Sequence, residues 1–157
     1  MQIAVVGAGA AAIRRAAGVG AEVCPVLADA AGRSWDVLAL ADGVTPLLRG
    51  NIRAKCLLLP GDSDPLLLAN VRAAQVVSCG LSPRDTLTLS SLAGAERLLC
   101  LQRGVVTPYG SLLEPQELPL SPDFNALTDE DALLAAGLRL LCTEARNDRC
   151  NMPPDRL

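Results

Sequence analysis

Short apolar runs, each stopped by glycine, proline or aspartate, recur through the first eighty residues, and this rhythm limits the fold more than any other feature. QIAVV (2–6) stops at Gly7 and AEVCPVLA (21–28) at Asp29. DVLALA (36–41) closes at Asp42-Gly43, KCLLL (55–59) at Pro60-Gly61-Asp62 and QVVSC (75–79) at Gly80. The runs are continuous rather than alternating, as expected of strands buried on both faces of a parallel sheet. AAAIRRAAG (10–18) reads as a helix ending at Gly18 or Gly20, and a short helix is expected over Pro65 to Ala73. Pro25 moves the second run towards an edge or a bulge. Strands alternating with helical segments predict a doubly wound, mainly parallel sheet: a Rossmann-like, three-layer α/β fold.

The pattern changes after Gly80. DTLTLSSL (85–92), ERLLCLQ (96–102), GVVTP (104–108) and SLLEPQELPL (111–120) follow one another with only turn residues between them. They predict an antiparallel extension in the C-terminal half, with Tyr109-Gly110 at a hairpin tip. Thr128 then precedes Asp129, Glu130 and Asp131, which places a capping hydroxyl and three acids where the N–H groups of a new helix are unpaired. Gly137 is a weak point inside that helix. The chain reads as one α/β domain over 1–150, with 151–157, including Pro153-Pro154, as a frayed tail.

Composition narrows the function classes. Half of the 157 residues are hydrophobic, yet Trp35, Tyr109 and Phe124 are the only aromatic ones, so Leu, Val and Ala must fill the core. Such a surface is short of stacking platforms for single-stranded nucleic acid. The net charge is −3, Lys55 is the only lysine and Arg14-Arg15 the only adjacent basic pair, so no electropositive stripe is expected and no nucleic-acid partner. Mean hydropathy is +0.32, but no apolar stretch approaches the ~20 residues of a spanning helix. The run from Ile3 to Ile13 is followed by arginines, the reverse of a signal peptide, so a cytoplasmic protein without a membrane span is expected. Six cysteines stand without a CxxC pair and the chain has no histidine, which removes the usual zinc ligands and spacing. Cys24, Cys56, Cys79 and Cys100 lie in apolar runs and are expected to be shielded thiols; Cys142 and Cys150 are the pair expected to react.

Three constellations are candidate sites. VVGAGAAAIRRA places Gly7 and Gly9 after a strand, Ala12 three residues on, and a helix behind them, a relaxed GxGxxA dinucleotide fingerprint with Asp29 as the ribose-binding acid. The same glycines serve any strand-to-helix turn, so both readings stand. A P-loop does not fit, because no lysine and hydroxyl follow the turn. Asp42, Asp62 and Asp64 follow apolar strands, at the edge where open α/β sheets bind ligands, and are candidates for a metal or for acid–base work. They are equally ordinary turn residues. No histidine is available to activate Ser78, Ser90 or Cys79, and there is no GxSxG elbow. Arg103, Glu114 and Glu117 flank the predicted hairpin and form the first candidate for a partner-binding surface.

From about Arg53 to Leu141 the chain also resembles the central domain of the Mur ligases. KCLLLPGDSDPLLLANV carries Gly61, Asp62, Ser63 and Asp64 where that family has an Asn-Ala-Asp-Asp-like turn. VVSCGLSPRDTLTLSSL supplies Cys79-Gly80-Leu81 and Asp85, and ELPL (117–120) with Asp131-Ala132-Leu133-Leu134-Ala135-Ala136 echoes the family's exit strand and following helix. The run CLQRGVVTPYGSLLEPQELPL is similar to small Mur-ligase-like proteins of clostridia and related bacteria. The family's P-loop, its metal-site histidine and its modified lysine have no counterparts here. The resemblance therefore implies a bacterial, shortened relative without ligase machinery: a non-catalytic binding or interaction protein, in cell-envelope work or sporulation. The alternative is a small nucleotide- or dinucleotide-binding domain built on Gly7-Ala8-Gly9. A hydrolase using Asp42, Asp62 and Asp64 comes third.

Overall fold

The computed structural model describes residues 1–91 and 96–143. Strand β1 (Ile3–Val6) leads into helix α1 (Ala10–Ala17), which Gly18 ends in the left-handed conformation, its N–H bonded to the Arg14 carbonyl. Next come β2 (Glu22–Cys24), a 3-10 turn (Leu27–Ala30), β3 (Ser34–Leu40) and β4 (Ile52–Pro60). Helix α2 (Leu66–Asn70) and β5 (Val71–Cys79) follow. The C-terminal half supplies β6 (Leu87–Ser91), β7 (Arg97–Leu101), β8 (Val105–Val106), β9 (Leu112–Leu113), β10 (Gln116–Pro119), a 3-10 turn (Pro122–Phe124) and helix α3 (Asp129–Cys142).

Among the described residues eight strands form one mixed sheet in the order β10-β7-β6-β5-β4-β3-β1-β2, and β8 pairs with β9 as a separate hairpin. Pairing is parallel from β2 through β6, then antiparallel at β6–β7 and β7–β10. The Rossmann-like α/β class and the antiparallel extension are therefore both present. Gly110 closes the β8–β9 turn with φ +85°, its N–H donating to the Thr107 carbonyl at 2.9 Å.

Several element limits differ from those expected. Residues 25–28 leave the sheet after Pro25 and enter the 3-10 turn, so β2 is a three-residue edge strand. β4 and β5 begin at Ile52 and Val71, several residues before their apolar runs. The residues before those runs include exposed Arg53 and Arg72, which break the apolar pattern. Helix α2 is shorter than Pro65 to Ala73, because β5 has begun by Val71.

The two faces of the sheet are covered unequally. On one face α1 and α3 bury Ile3, Val5, Val37, Ala39, Cys56, Leu58, Val77, Leu87, Leu99 and Leu101. On the other, Leu27, Val44, Leu47 and Leu67 from short turns and α2 pack on Ala4, Val6, Leu38, Leu40, Leu57 and Leu59. Among the described residues no long helix lies on that second face, where the three-layer expectation placed a full helical layer. Asn70 holds part of this thin cover: its side chain bonds both the N–H (2.8 Å) and the carbonyl (2.9 Å) of Leu47. Gly50 lies so close to Asn70 that a Cβ would overlap its backbone.

Helix α3 runs unbroken through Gly137, where a Cβ would stand 2.7 Å from Leu87 Cδ1 and 2.8 Å from Leu58 Cδ2. The weak point is thus the position that lets α3 lie down on the sheet. Arg139 reaches across from α3 to donate to the last carbonyls of α1, Ala16 (2.7 Å) and Ala17 (3.0 Å), while its guanidinium lies over the Phe124 ring. This cation closes the negative end of α1. β3 is irregular at Asp36: the amides of Asp36 and Val37 both donate to the Gln2 carbonyl, the pattern of a bulge. Trp35 accordingly packs with Leu38 on one face while Val37 packs on the other.

Among the described residues no helix is long and apolar enough to cross a membrane. Cys150 and the tail expected to fray, 151–157, lie outside the described residues.

Candidate functional site

The direction in which the chain leaves the sheet reverses between β1 and β3, which makes a switch point at their carboxyl ends. Gly7 lies there with φ +121°, a conformation that favours glycine, and a Cβ on it would stand 2.9 Å from Ala41 Cβ and 3.2 Å from Val44 Cγ2. Gly9 is the N-cap of α1. Its open side is taken by a carboxylate: a Cβ on Gly9 would be 3.4 Å from Asp131 Oδ2. An acid from the first turn of α3 therefore stands at the α1 terminus, the place a pyrophosphate takes in dinucleotide-binding domains.

The other parts of the fingerprint are placed differently from expectation. Ala12, which should pack helix on strand, is exposed, and Ile13 is the buried residue. Asp29 does not end a second strand; it is exposed on the 3-10 turn that follows Pro25-Val26.

Two strand-end turns, after β4 and β5, and α3 enclose a crevice of about 390 Å³ next to this point, lined by Gly61, Asp62, Gly80, Ser82, Arg84, Asp85 and Glu130. Asp85 is its buried floor, only 6% exposed. A Cβ on either Gly61 or Gly80 would overlap the Asp85 carboxylate, so two glycines at the ends of β4 and β5 make room for one acid. Its Oδ2 accepts from the Ser82 N–H at 3.1 Å. Spacing and composition do not single out Asp85 as a site residue. The glycines directly after two consecutive strands were the available signal.

Of the three candidate acids, Asp42 and Asp62 act on this region and Asp64 does not. Asp64 Oδ1 accepts from the Leu66 N–H at 3.0 Å, which opens α2. Glu130 is pushed above the usual carboxylate range, first by the charge of Asp42, then by burial, then by the charges of Asp62 and Asp131. Partial burial raises Asp131 as well; the Thr128 hydroxyl opposes this and the charge of Asp42 adds to it. No group of three or more acid, cysteine or histidine side chains among the described residues is arranged to hold a metal ion.

Nucleophilic chemistry finds no support in the thiols. Burial pushes the Cys79 thiol far up, with the Asp85 charge adding to it. Cys142, expected to be reactive, is half-buried on α3, and burial pushes its thiol up to about 12. Cys24, Cys56, Cys79 and Cys100 are buried free thiols, as expected.

Arg103, Glu114 and Glu117 are all exposed and lie away from the crevice, around the pairing of β7 with β10. Among the described residues no ion pair joins them. Comparison with protein-family models, with curated proteins and with solved structures gave no match for this chain.

Proposed function

We propose that this is a non-catalytic binding protein of the bacterial cytoplasm, a shortened relative of the Mur-ligase central domain, whose carboxyl-edge crevice takes a cationic group. In this reading the thin second face is a doubly wound sheet whose helices have been cut down. An amine or guanidinium enters between Asp62 and Glu130 above the buried Asp85. The observation that carries the reading is Asp131 at Gly9, with Asp42 and Glu130 beside it. Three carboxylates at this place repel the phosphates that a dinucleotide would bring, and the same field draws a cation.

The alternative is supported by the Gly7 conformation and by the glycine that opens α1. Thermal melts with NAD, NADP, FAD and ATP, and in parallel with putrescine, lysine and arginine methyl ester, separate the two. A ligand at one hundred times its dissociation constant adds about 2.7 kcal/mol, a shift of several degrees for a domain of this size. The expected result is a saturable shift with a cationic probe, weakened at least about tenfold in Glu130→Gln or Asp62→Asn, which is roughly 1.4 kcal/mol. A nucleotide shift that disappears in Gly9→Val, with no response to the cations, would overturn the proposal in favour of the dinucleotide reading.

A further inference from the structure

At the opposite edge of the sheet the charges are reversed, and we infer that this amino edge holds a separate binding site for a phosphate monoester. Arg53 on β4 and Arg72 on β5 are direct partners in the parallel ladder, and Ser34 on β3 is the partner of Arg53. Register partners project from the same face, and neighbouring strands are about 4.8 Å apart, so one hydroxyl and two guanidinium groups form a short row. All three residues are exposed. All three line one hollow of about 410 Å³, together with Asp36, Lys55 and Ala74.

Two features make this row more than a solvated face. Like charges on adjacent strand positions repel, so an unneutralised Arg53–Arg72 pair costs stability. The chain had acids to spend on them, 17 against 14 basic residues. Among the described residues Arg14, Arg15, Arg49, Arg84 and Arg103 also lack an acidic partner, but Arg53 and Arg72 lack one while standing as direct partners in a ladder. Lys55, the only lysine, stands beside them and bonds Asp36 at 3.1 Å. The bulge at Asp36 falls in the same wall: the ladders pair Trp35 with Ala54 and Val37 with Cys56, and skip Asp36 and Lys55 between them. Such irregularities re-aim side chains next to sites.

The local charge identifies the ligand. Three cations against one carboxylate leave two positive charges in the hollow, which a phosphate monoester dianion balances and a single carboxylate does not. Guanidinium forks match phosphate oxygens in pairs, and the Ser34 hydroxyl can donate to a third oxygen.

Titration calorimetry on the full chain with phenyl phosphate, at fixed ionic strength, tests this. Benzoate is the carboxylate counterpart and sodium chloride the ionic control. Phenyl phosphate should bind saturably and at least about tenfold more tightly than benzoate, a difference of roughly 1.4 kcal/mol. Affinity should fall as pH drops through about 6, where the phosphate loses its second charge. Arg53→Gln and Arg72→Gln should each weaken binding tenfold or more, and the double variant should abolish it, while Arg103→Gln leaves it unchanged. Without ligand, the double variant should melt no lower than the parent, because the repulsion is gone. Equal binding by the double variant, or equal affinity for benzoate, would overturn the site. So would a double variant that melts well below the parent, because the arginines would then serve the fold. None of these outcomes touches the cation reading of the opposite edge.

Discussion

The two edges of one sheet carry opposite chemistry. At the carboxyl edge Asp42, Asp62, Asp85, Glu130 and Asp131 gather around the switch point and outnumber Arg84 in the crevice wall. At the amino edge Arg53, Lys55 and Arg72 line a hollow. In parallel α/β sheets helix N-termini face the carboxyl edge and favour anions there. Here the acids of the first turn of α3, with Asp131 set against the start of α1, oppose that field. Side chains placed on a shared framework, rather than the framework, decide which edge attracts which charge.

Close packing at the two edges gives the largest expected effects. Gly50→Ala, at the amino edge, drives a methyl into the Asn70 backbone and should cost about 3 kcal/mol. Gly61→Ala, at the carboxyl edge, meets only the Asp85 side chain and should cost about 2 kcal/mol, a melting temperature lower by roughly 4–8 °C. Asp85→Ala in the same chain should recover much of the Gly61 loss, whereas Asn70→Ala should recover none of the Gly50 loss. Denaturant titration of the four variants and two doubles reads both cycles. Equal recovery at both edges would show that Asp85 is not the group the glycines accommodate.

A smaller effect is expected at the α3 terminus. Thr128 Oγ1 accepts from the Asp131 N–H at 3.2 Å, and Thr128→Ala should cost about 1 kcal/mol by urea unfolding. The same substitution should loosen Asp131 from Gly9 and so weaken the exclusion of phosphates there. An unchanged stability would remove the cap from the account of how Asp131 is placed.

The smallest effects are those of pH, and the edges should respond with opposite sign. The Gln2 N–H and Lys55 hold Asp36 below the ordinary carboxylate range. Asp36 therefore stabilises the fold above that range, and its contribution is lost as pH falls through the lowered value. Glu130 is raised above its ordinary value of 4.5, so its ionised form is disfavoured in the folded chain. Stability falls as pH rises through the interval above 4.5 and recovers on acidification. Glu130→Gln should thus raise stability at pH 7 by less than about half a kcal/mol, given its exposure to solvent, and change nothing below the carboxylate range. Asp36→Asn should lower stability at pH 7 and lose that effect in acid. Melting curves from pH 3 to 8 compare the two. The same sign for both would mean that the edges are not electrostatically distinct.

Much of the framework could be read before any coordinates. β1, α1, β3 and α3 lie close to where their apolar runs and caps predicted, because each signal is local to its element. Edge placement of β2 followed from Pro25, which removes a ladder donor. The amino-terminal halves of β4 and β5 were hidden, because charged residues on a half-open strand interrupt the apolar run used to find it. The basic row was hidden with them, since Ser34, Arg53 and Arg72 are neighbours only through strand register.

Gly7, Gly9, Asp42 and Asp62 follow strands and lie at the carboxyl edge. Their chemistry could not be read from spacing, because the residue that changes it, Asp131, comes from α3, more than eighty residues away in the chain from Asp42 and about seventy from Asp62. Local sequence by itself determined where β1, β3 and α3 lie and that the cysteines in apolar runs are buried. Tertiary structure alone decided that an acid stands over the glycine turn, that Asp85 is buried between Gly61 and Gly80, and that two arginines share one hollow. The reason is physical: hydrophobic period and capping act over a few bonds, whereas the charge at a site is the sum of side chains delivered by elements distant in sequence.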